Sequence, residues 1–401
     1  MSPQALSNMR VLDLGHYVAG PFCTKFLADY GADVIKVEKP GEGDEARKAG
    51  PFLNDIPDPE TSGLFLHLNT NKRGITLNLK TEAGKAILKE LVKWADILVE
   101  NFRPRVMPSL GLSYEVMEKL NPRLVMTSIT NFGQTGPYRD YEAWDVVEYA
   151  LGGLMYFVGE TDREPLKGPN FQAQYLGGVF AAVGTMGAYH YQQLTGLGQY
   201  QDVSIHDCVS SVLENVLTSY IYDGTIRPRV GSRRVSSHPF GILPCKDGAI
   251  GIAIGVPTQW QALARLTGNP DKAEDPEWGL ARWRGLNYEK VNAALAPYLM
   301  SHTQEELFHT GQQWRIPTNP VPNVAQVIAL PHNKAREVFM EVEHPRTGPR
   351  VYTGAPFRLR ETPWSIRRPA PLLGQHNEEV LCGMLGYSKQ DLVKLSDRGV
   401  I

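Results

Sequence analysis

The sequence of 401 residues carries no charge surplus: 41 Lys and Arg stand against 43 Asp and Glu, a formal net of −2. Proteins that bind nucleic acid or an anionic membrane surface usually show a basic excess, so neither partner is expected. Cysteine is scarce. Cys23, Cys208, Cys245 and Cys382 lie far apart with no C-x-x-C spacing. That excludes a disulfide framework and a thiolate metal site, and it reads as the reduced thiols of a cytoplasmic protein. Long apolar runs are also missing. The most apolar stretch, YLGGVFAAVGTMGAY (175–189), is shorter than the ~20 residues a bilayer requires and reads as a buried helix. The N-terminal MSPQALSNMR has no basic segment leading into an apolar core, so no signal peptide is expected. The histidines are scattered with no H-x-x-x-H pair, which argues against a metal site. G-x-S-x-G is absent, so no hydrolase elbow is expected.

What the sequence does contain is alternation. RVLDLG (10–15) is a short apolar run stopped by glycine, GPFCTKFLADYG has helical spacing, and ADVIKVEKP is a second strand closed by proline. GITLNLK, TEAGKAILKELVKWA, DILVEN, SYEVMEKLN and RLVMTSITNFG continue as strand, helix, strand, helix and strand. Strands separated by helices imply a parallel sheet, so residues 10–133 predict a doubly wound α/β unit. A helix over 175–193, the strand YQDVSI and one long helix, HDCVSSVLENVLTSYIYDG, follow. TIRPRVGSRRVSSHPFG is rich in Arg, Ser, Gly and Pro and reads as a linker. The expected organisation is a large domain over 1–220, a linker over 221–240, a smaller α/β domain over 241–330, and a segment, 331–401, that returns to the large domain.

Three loops invite a ligand. LGHYVAGPF joins the first strand to a helix, and a helix N-terminus beneath glycines binds phosphate through free N–H groups. Gly15 and Gly20 do not form G-x-G-x-x-G, however, and are equally explained by turn geometry. Glu38, ending the second strand, stands where a ribose-binding acid would. EKPGEGDEAR (38–47) and VENFRPR (99–105) follow the carboxyl ends of strands, where ligands bind in open α/β sheets. Lys39, Arg103 and Arg105 are candidates for phosphate and Phe102 for stacking on a base; for Lys39 the commoner reading is a solvated surface lysine. Asp145 and Glu148 are three apart and share a helical face, where surface exposure is the usual explanation.

Together VLDLGHYVAGPFCTKFLADYGADVIKVEKPGEGD, LNTNKRGITLNLKTEAGK, ADILVENFRP, GLSYEVMEKLNPRLVMTSITNFGQTGPY, TGLGQYQDVSI and PAPLLGQHNEEVLCGMLGYS resemble the family III CoA-transferases, the group of formyl-CoA transferase and carnitine CoA-transferase. The resemblance spans nearly the whole chain. It implies a Rossmann-like large domain, a small domain and two chains interlocked like links, with coenzyme A or acyl-CoA as substrate and no metal. It places CoA contacts at Val18, Ala19 and Lys39, at Leu77, Asn78, Leu79 and Lys80 in the third strand, and at Asn101, Phe102 and Arg103, with Trp144 and Asp145 near the acyl end.

The same resemblance implies a nucleophilic aspartate ahead of the small-residue helix, which attacks the thioester to form a mixed anhydride. In GPNFQAQYLGG (168–178) the matching residue is Gln174. Ser109 and Glu142 stand where relatives place basic residues, and the histidine of the family's racemases is replaced near Trp144. Some relatives, the benzylsuccinate and phthalate types, pair two related subunits. The sequence is therefore expected to be the subunit without a nucleophile in a hetero-oligomeric CoA-transferase whose homologous partner supplies the aspartate. Alternatives are a homodimeric lyase, hydrolase or isomerase of CoA esters using Asp145 or Glu148, and a non-catalytic acyl-CoA-binding protein.

Overall fold

A computed structural model describes residues 4–401. Six parallel strands form one sheet in the order β3-β2-β1-β4-β5-β6. They are β1 (Arg10–Asp13), β2 (Asp33–Glu38), β3 (Lys72–Thr76), β4 (Ile97–Glu100), β5 (Val125–Thr130) and β6 (Tyr200–Ser204). The helices between them are α1 (Ala19–Asp29), α2 (Gly63–Leu68), α3 (Glu82–Trp94), α4 (Val106–Ser109), α5 (Tyr114–Leu120), α6 (Asp145–Leu151) and α7 (Gln172–Thr195). After β6 comes α8 (Ile205–Ser211).

The strands carry apolar residues in both phases of the two-residue repeat, so both faces need cover. Val11, Ile97, Val99 and Val125 pack under α1 and α7 with Cys23, Leu27, Ala173 and Ala181. Leu12, Ile35, Leu98 and Met126 pack on the opposite face with Ile87, Leu88 and Leu91 of α3 and with Val380, Leu381 and Val400 near the C-terminus. Helix α3 begins where Thr81 Oγ1 accepts the Gly84 amide at 3.0 Å, an N-terminal cap of the expected kind.

Two expectations are corrected here. The third strand ends at Thr76, so Leu77, Asn78, Leu79 and Lys80 lie in the connection to α3. Asn78 turns the chain there, accepting the Lys80 and Thr81 amides, while its own amide is bound by the Val400 carbonyl. The single helix expected over 206–224 is broken: α8 ends at Ser211, a second helix spans Glu214–Asp223, and Glu214 takes a positive φ of 50° at the break.

The chain divides into two compact units. The first comprises the described residues through Leu154 with 167–217 and 332–401; the second comprises 155–166 with 218–331. The stretch 221–240 therefore lies inside the second unit. That unit has an antiparallel sheet of β7 (Phe240–Cys245), β8 (Gly248–Ala253) and β9 (Thr318–Pro320). Its core joins Ile250 and Ile252 to Trp260, Leu263, Val291 and Leu295. An antiparallel hairpin of β10 (Phe339–His344) and β11 (Gly348–Thr353) belongs to the first unit. No described helix is long and apolar enough to cross a membrane.

A buried ion network sits under the first βα loop. Lys72 Nζ lies 2.8 Å from Asp13, Lys36 Nζ lies 2.8 Å from Asp44, and Arg47 binds Glu38 at 2.6 and 2.9 Å. All six side chains are buried. Glu38 is thus committed to Arg47 and is not available to a ribose. Burial pushes the Asp44 carboxyl up, but Lys36, His16 and the Ala46 amide outweigh it and hold it down at about 2, so the stability it contributes is full above about pH 4 and is lost as pH falls through about 2. Lys36→Met removes one cation and leaves a buried carboxylate unpaired. It should lower urea-unfolding stability by about 3–5 kcal/mol, whereas Lys80→Met, at an exposed position, should change it by less than about 0.5 kcal/mol.

Candidate active site

The sheet order reverses between β1 and β4, so the loops that leave these two strands diverge and open a crevice at their carboxyl ends. A cavity of about 740 Å³ occupies that place. Its lining includes His16 and Tyr17 after β1, Asn101 to Val106 after β4, Thr130 and Asn131 after β5, the segment from Arg139 to Trp144, and Gln174.

One side chain ties the two loops together. Asn101 Oδ1 accepts the His16 amide at 2.7 Å and Asn101 Nδ2 donates to the His16 carbonyl at 2.8 Å. Asp44 Oδ1 accepts the Tyr17 amide at 2.8 Å, which links the loop to the buried network. Tyr17 is held at φ 66°, a strained conformation for a residue with a side chain. Its ring packs edge-on against Trp144 and Phe171 at 5.6 and 5.2 Å between centroids.

Helix α7 reaches this loop because its inner face is small. A Cβ on Gly178 would lie 2.8 Å from the Ala19 carbonyl oxygen, and one on Gly177 would lie 2.8 Å from Ile205 Cγ1. The close approach of α7 to α1 brings Gln174, on the first turn of α7, into the cavity wall.

The two carboxylates of α6 meet that turn. Asp145 Oδ1 accepts the Gln174 amide N–H at 3.1 Å and caps α7 with a negative charge at the positive end of its dipole. Lys167 Nζ lies 2.8 Å from Asp145 Oδ2, an ion pair without hydrogen-bond alignment, and donates to the Gly168 carbonyl. The Gln174 side-chain amide donates to the Glu148 carboxylate in a bifurcated contact, with Nε2 at 2.8 and 3.1 Å from its two oxygens. Neither acid is at the surface: Asp145 is 5% exposed and Glu148 is 0% exposed. The expectation of surface exposure is corrected, because α6 turns this face inward against α7. Burial pushes the Glu148 carboxyl up to about 7, the Gln174 amide pulls against that, and the neighbouring Asp145 charge adds to it.

The rim is charged and self-neutralised. Arg103 pairs with Glu142 at 2.7 Å, and Arg105 binds Asp140 through two nitrogens at 3.0 and 2.6 Å. These exposed pairs contribute little to stability and are free to exchange partners.

A CoA-transferase family III model matches residues 6–377. The chain belongs to that family. It is 34% identical over its whole length to the succinyl-CoA–D-citramalate CoA-transferase of Chloroflexus aurantiacus, covering 98% of that protein. It is 32% identical to the beta subunit of succinyl-CoA–L-malate CoA-transferase from the same organism, over 99% of this chain and 98% of the subunit. Among solved structures, a CaiB/BaiF family protein from Brucella suis matches with a TM-score of 0.85 and 30% identity, over 95% of this chain and 100% of that one. CoA transfer is accordingly the enzymatic class of this family III chain, with CoA thioesters as substrates.

The CoA contacts expected in this CoA-transferase fall into two groups. Asn101, Phe102 and Arg103 line the cavity; Val18 and Ala19 are buried beside it at the start of α1. Lys39 is not in the cavity wall and pairs with Glu42. Leu77 is core, and Asn78, Leu79 and Lys80 follow it outside the wall. Ser109 is exposed and Glu142 is the partner of Arg103. Sequence reasoning missed Lys167, whose only signal was its place five residues before the α7 start, and Tyr17 and Phe171, which lay inside loops already singled out.

Glu148 gives a pH test. Its proton is held more tightly in the folded chain than the usual 4.5, so its contribution to stability is full below about pH 4.5 and is lost as pH rises through about 7. Glu148→Gln should remove that slope. The difference in urea stability between variant and wild type should shift in favour of the variant by roughly 3 kcal/mol from pH 4 to pH 8.

Proposed function

We propose that this chain is the nucleophile-free subunit of a two-subunit CoA-transferase that moves CoA from an acyl-CoA donor, succinyl-CoA first among candidates, to a carboxylic acid. The observation that carries the reading is Gln174. An amide nitrogen shares its lone pair with the carbonyl and cannot form the mixed anhydride that a carboxylate forms. Here the nitrogen is also occupied by Glu148, which leaves Oε1 as the remaining polar atom of the side chain. The carboxylates on the rim, Asp140 and Glu142, are bound to arginines, and Glu45 is paired with Lys48. The existence of a relative named as a subunit supports a two-chain assembly.

In this assembly the partner supplies the aspartate that receives the acyl group, and this chain supplies the framework and a CoA-sized cavity with Asn101, Phe102 and Arg103 at its edge. Trp144, Val146, Val147 and Leu151 with Val179, Phe180 and Val183 leave an exposed apolar surface on α6 and α7. A patch of that kind is a usual mark of a protein interface, and it fits the interlocked pairing of chains that the family resemblance implies.

Glu148 favours a second reading. A buried carboxyl poised near 7 is suited to general acid–base work, so a homodimer acting on a CoA ester as lyase, hydrolase or isomerase is the alternative.

The deciding experiment is native mass spectrometry of the complex recovered by a tag on the chromosomal copy, followed by transfer assays with succinyl-CoA. A heteromer containing a similar-sized chain with aspartate at the matching position, active only as the pair, is expected. Transfer by the chain alone at rates typical of CoA-transferases would end the subunit reading; a homodimer whose CoA-ester turnover disappears in Glu148→Gln would establish the second. In the purified chain Gln174→Asp should yield a covalent acyl adduct detectable by intact mass, while the wild-type chain should yield none.

A further inference from the structure

A second, smaller cavity of about 190 Å³ lies beside the first and shares Arg103, Pro104 and Arg139 with it. Its wall is built from neighbouring strands, with Glu100 at the end of β4, Met126 and Ser128 within β5 and Tyr200 at the start of β6, and is closed by Tyr114. Three groups in that wall lack the partners their chemistry requires. Glu100 is 3% exposed and forms no ion pair among the described residues; one of its oxygens accepts the Phe102 amide at 2.8 Å. Ser128 is 1% exposed, and its hydroxyl lies near Glu100 and Tyr200 without completing an aligned hydrogen bond. The third is Arg139. Its Nε is buried with no hydrogen-bond partner and its guanidinium is in no ion pair among the described residues, while Arg103 on the same wall is paired with Glu142.

Buried polar groups are nearly always satisfied, and unsatisfied ones call for an explanation. Glu100 stands at the carboxyl end of β4, the side of the sheet on which α/β folds place ligands. The nearest acid, Asp140, feels the Arg139 charge but is hydrogen-bonded to Arg105, so the Arg139 guanidinium keeps N–H groups for an anion, best a carboxylate held by two parallel N–H groups. The floor, with Glu100, Ser128 and Tyr200, fits a second polar end. Burial pushes Glu100 up to about 7, so at neutral pH a protonated form is available to donate to an incoming oxygen. The volume corresponds to roughly six waters at their ~30 Å³ share of the liquid, the size of a four-carbon acid.

We infer that this pocket binds a short dicarboxylic acid, with one carboxylate on Arg139 and the other among Glu100, Ser128 and Tyr200. Its place beside the larger cavity makes it a holding site for the acceptor acid. That role rests on the CoA-transferase reading; the binding itself does not.

Isothermal titration of the purified full chain with succinate, and with butyrate as an acid lacking the second polar end, tests it without CoA, partner or turnover. Succinate should bind saturably, and butyrate about tenfold more weakly or worse. Arg139→Met should weaken succinate by about tenfold or more, with thermal unfolding unchanged because the residue is half-exposed. Ser128→Ala should narrow the gap between the two acids. Absence of saturable succinate binding, or unchanged binding in Arg139→Met, overturns the inference. Binding that survives Arg139→Met and is lost in Gln174→Ala places the acid in the larger cavity and overturns it equally. None of these outcomes bears on whether the chain assembles with a second subunit, so the two ideas fail separately.

Discussion

The site depends on charge buried beneath the sheet's carboxyl edge. Asp13, Lys36, Lys72, Asp44, Glu38 and Arg47 are all removed from water, and each is matched by an opposite charge. Such ions are costly to bury, and an unmatched member would be intolerable. The network adds directional hydrogen bonds: Asp13 Oδ1 accepts the Gly15 amide, Lys36 donates to the Gly15 carbonyl, and Asp44 accepts the Tyr17 amide. The first βα loop is thereby fixed in a strained shape. From that loop Asn101 is bridged, and against it α7 is seated. The geometry at Gln174 is thus inherited from pairs that touch no substrate.

Much of the fold could be read from sequence because its signals are local. The glycine after β1, the proline after β2 and the Thr81 cap each act within a few residues. The alternation of strands and helices then leaves few topologies open. What the sequence hid is set by contacts between distant segments. Asp145 and Glu148 read as a surface pair because nothing near them shows that α7 covers them. Leu77 continues an alternating pattern past Thr76, yet the strand stops where Asn78 finds the Val400 carbonyl more than three hundred residues away. The β10–β11 hairpin lies in a polar stretch with weak alternation. Residues 155–166 join the second unit without any change in composition to mark them.

The candidate site divides in the same way. The loop after β4 was legible, since Asn101, Phe102 and Arg103 follow a strand end, and all three line the cavity. Lys39 was singled out by its place after β2 and again by resemblance, residues 77–80 by resemblance alone, and none of them lines the cavity. Glu38 looked like a ribose ligand because strand position does not reveal an arginine nine residues later in sequence. Gln174 was visible as a departure from a pattern, but its pairing with Glu148 was not. That pairing makes the amide a fitted component of the wall, since it satisfies a buried carboxylate that would otherwise stand alone.

The glycine face of α7 has a consequence for position 174. Gly178 meets a main-chain carbonyl of α1, so the helix is registered by backbone against backbone and the side chain at 174 is not what positions it. The residue at that point can be exchanged while the helix keeps its seat, although Glu148 then needs another partner. Provided the buried Glu148 keeps one, chemistry at that point can therefore change without redesign of the scaffold.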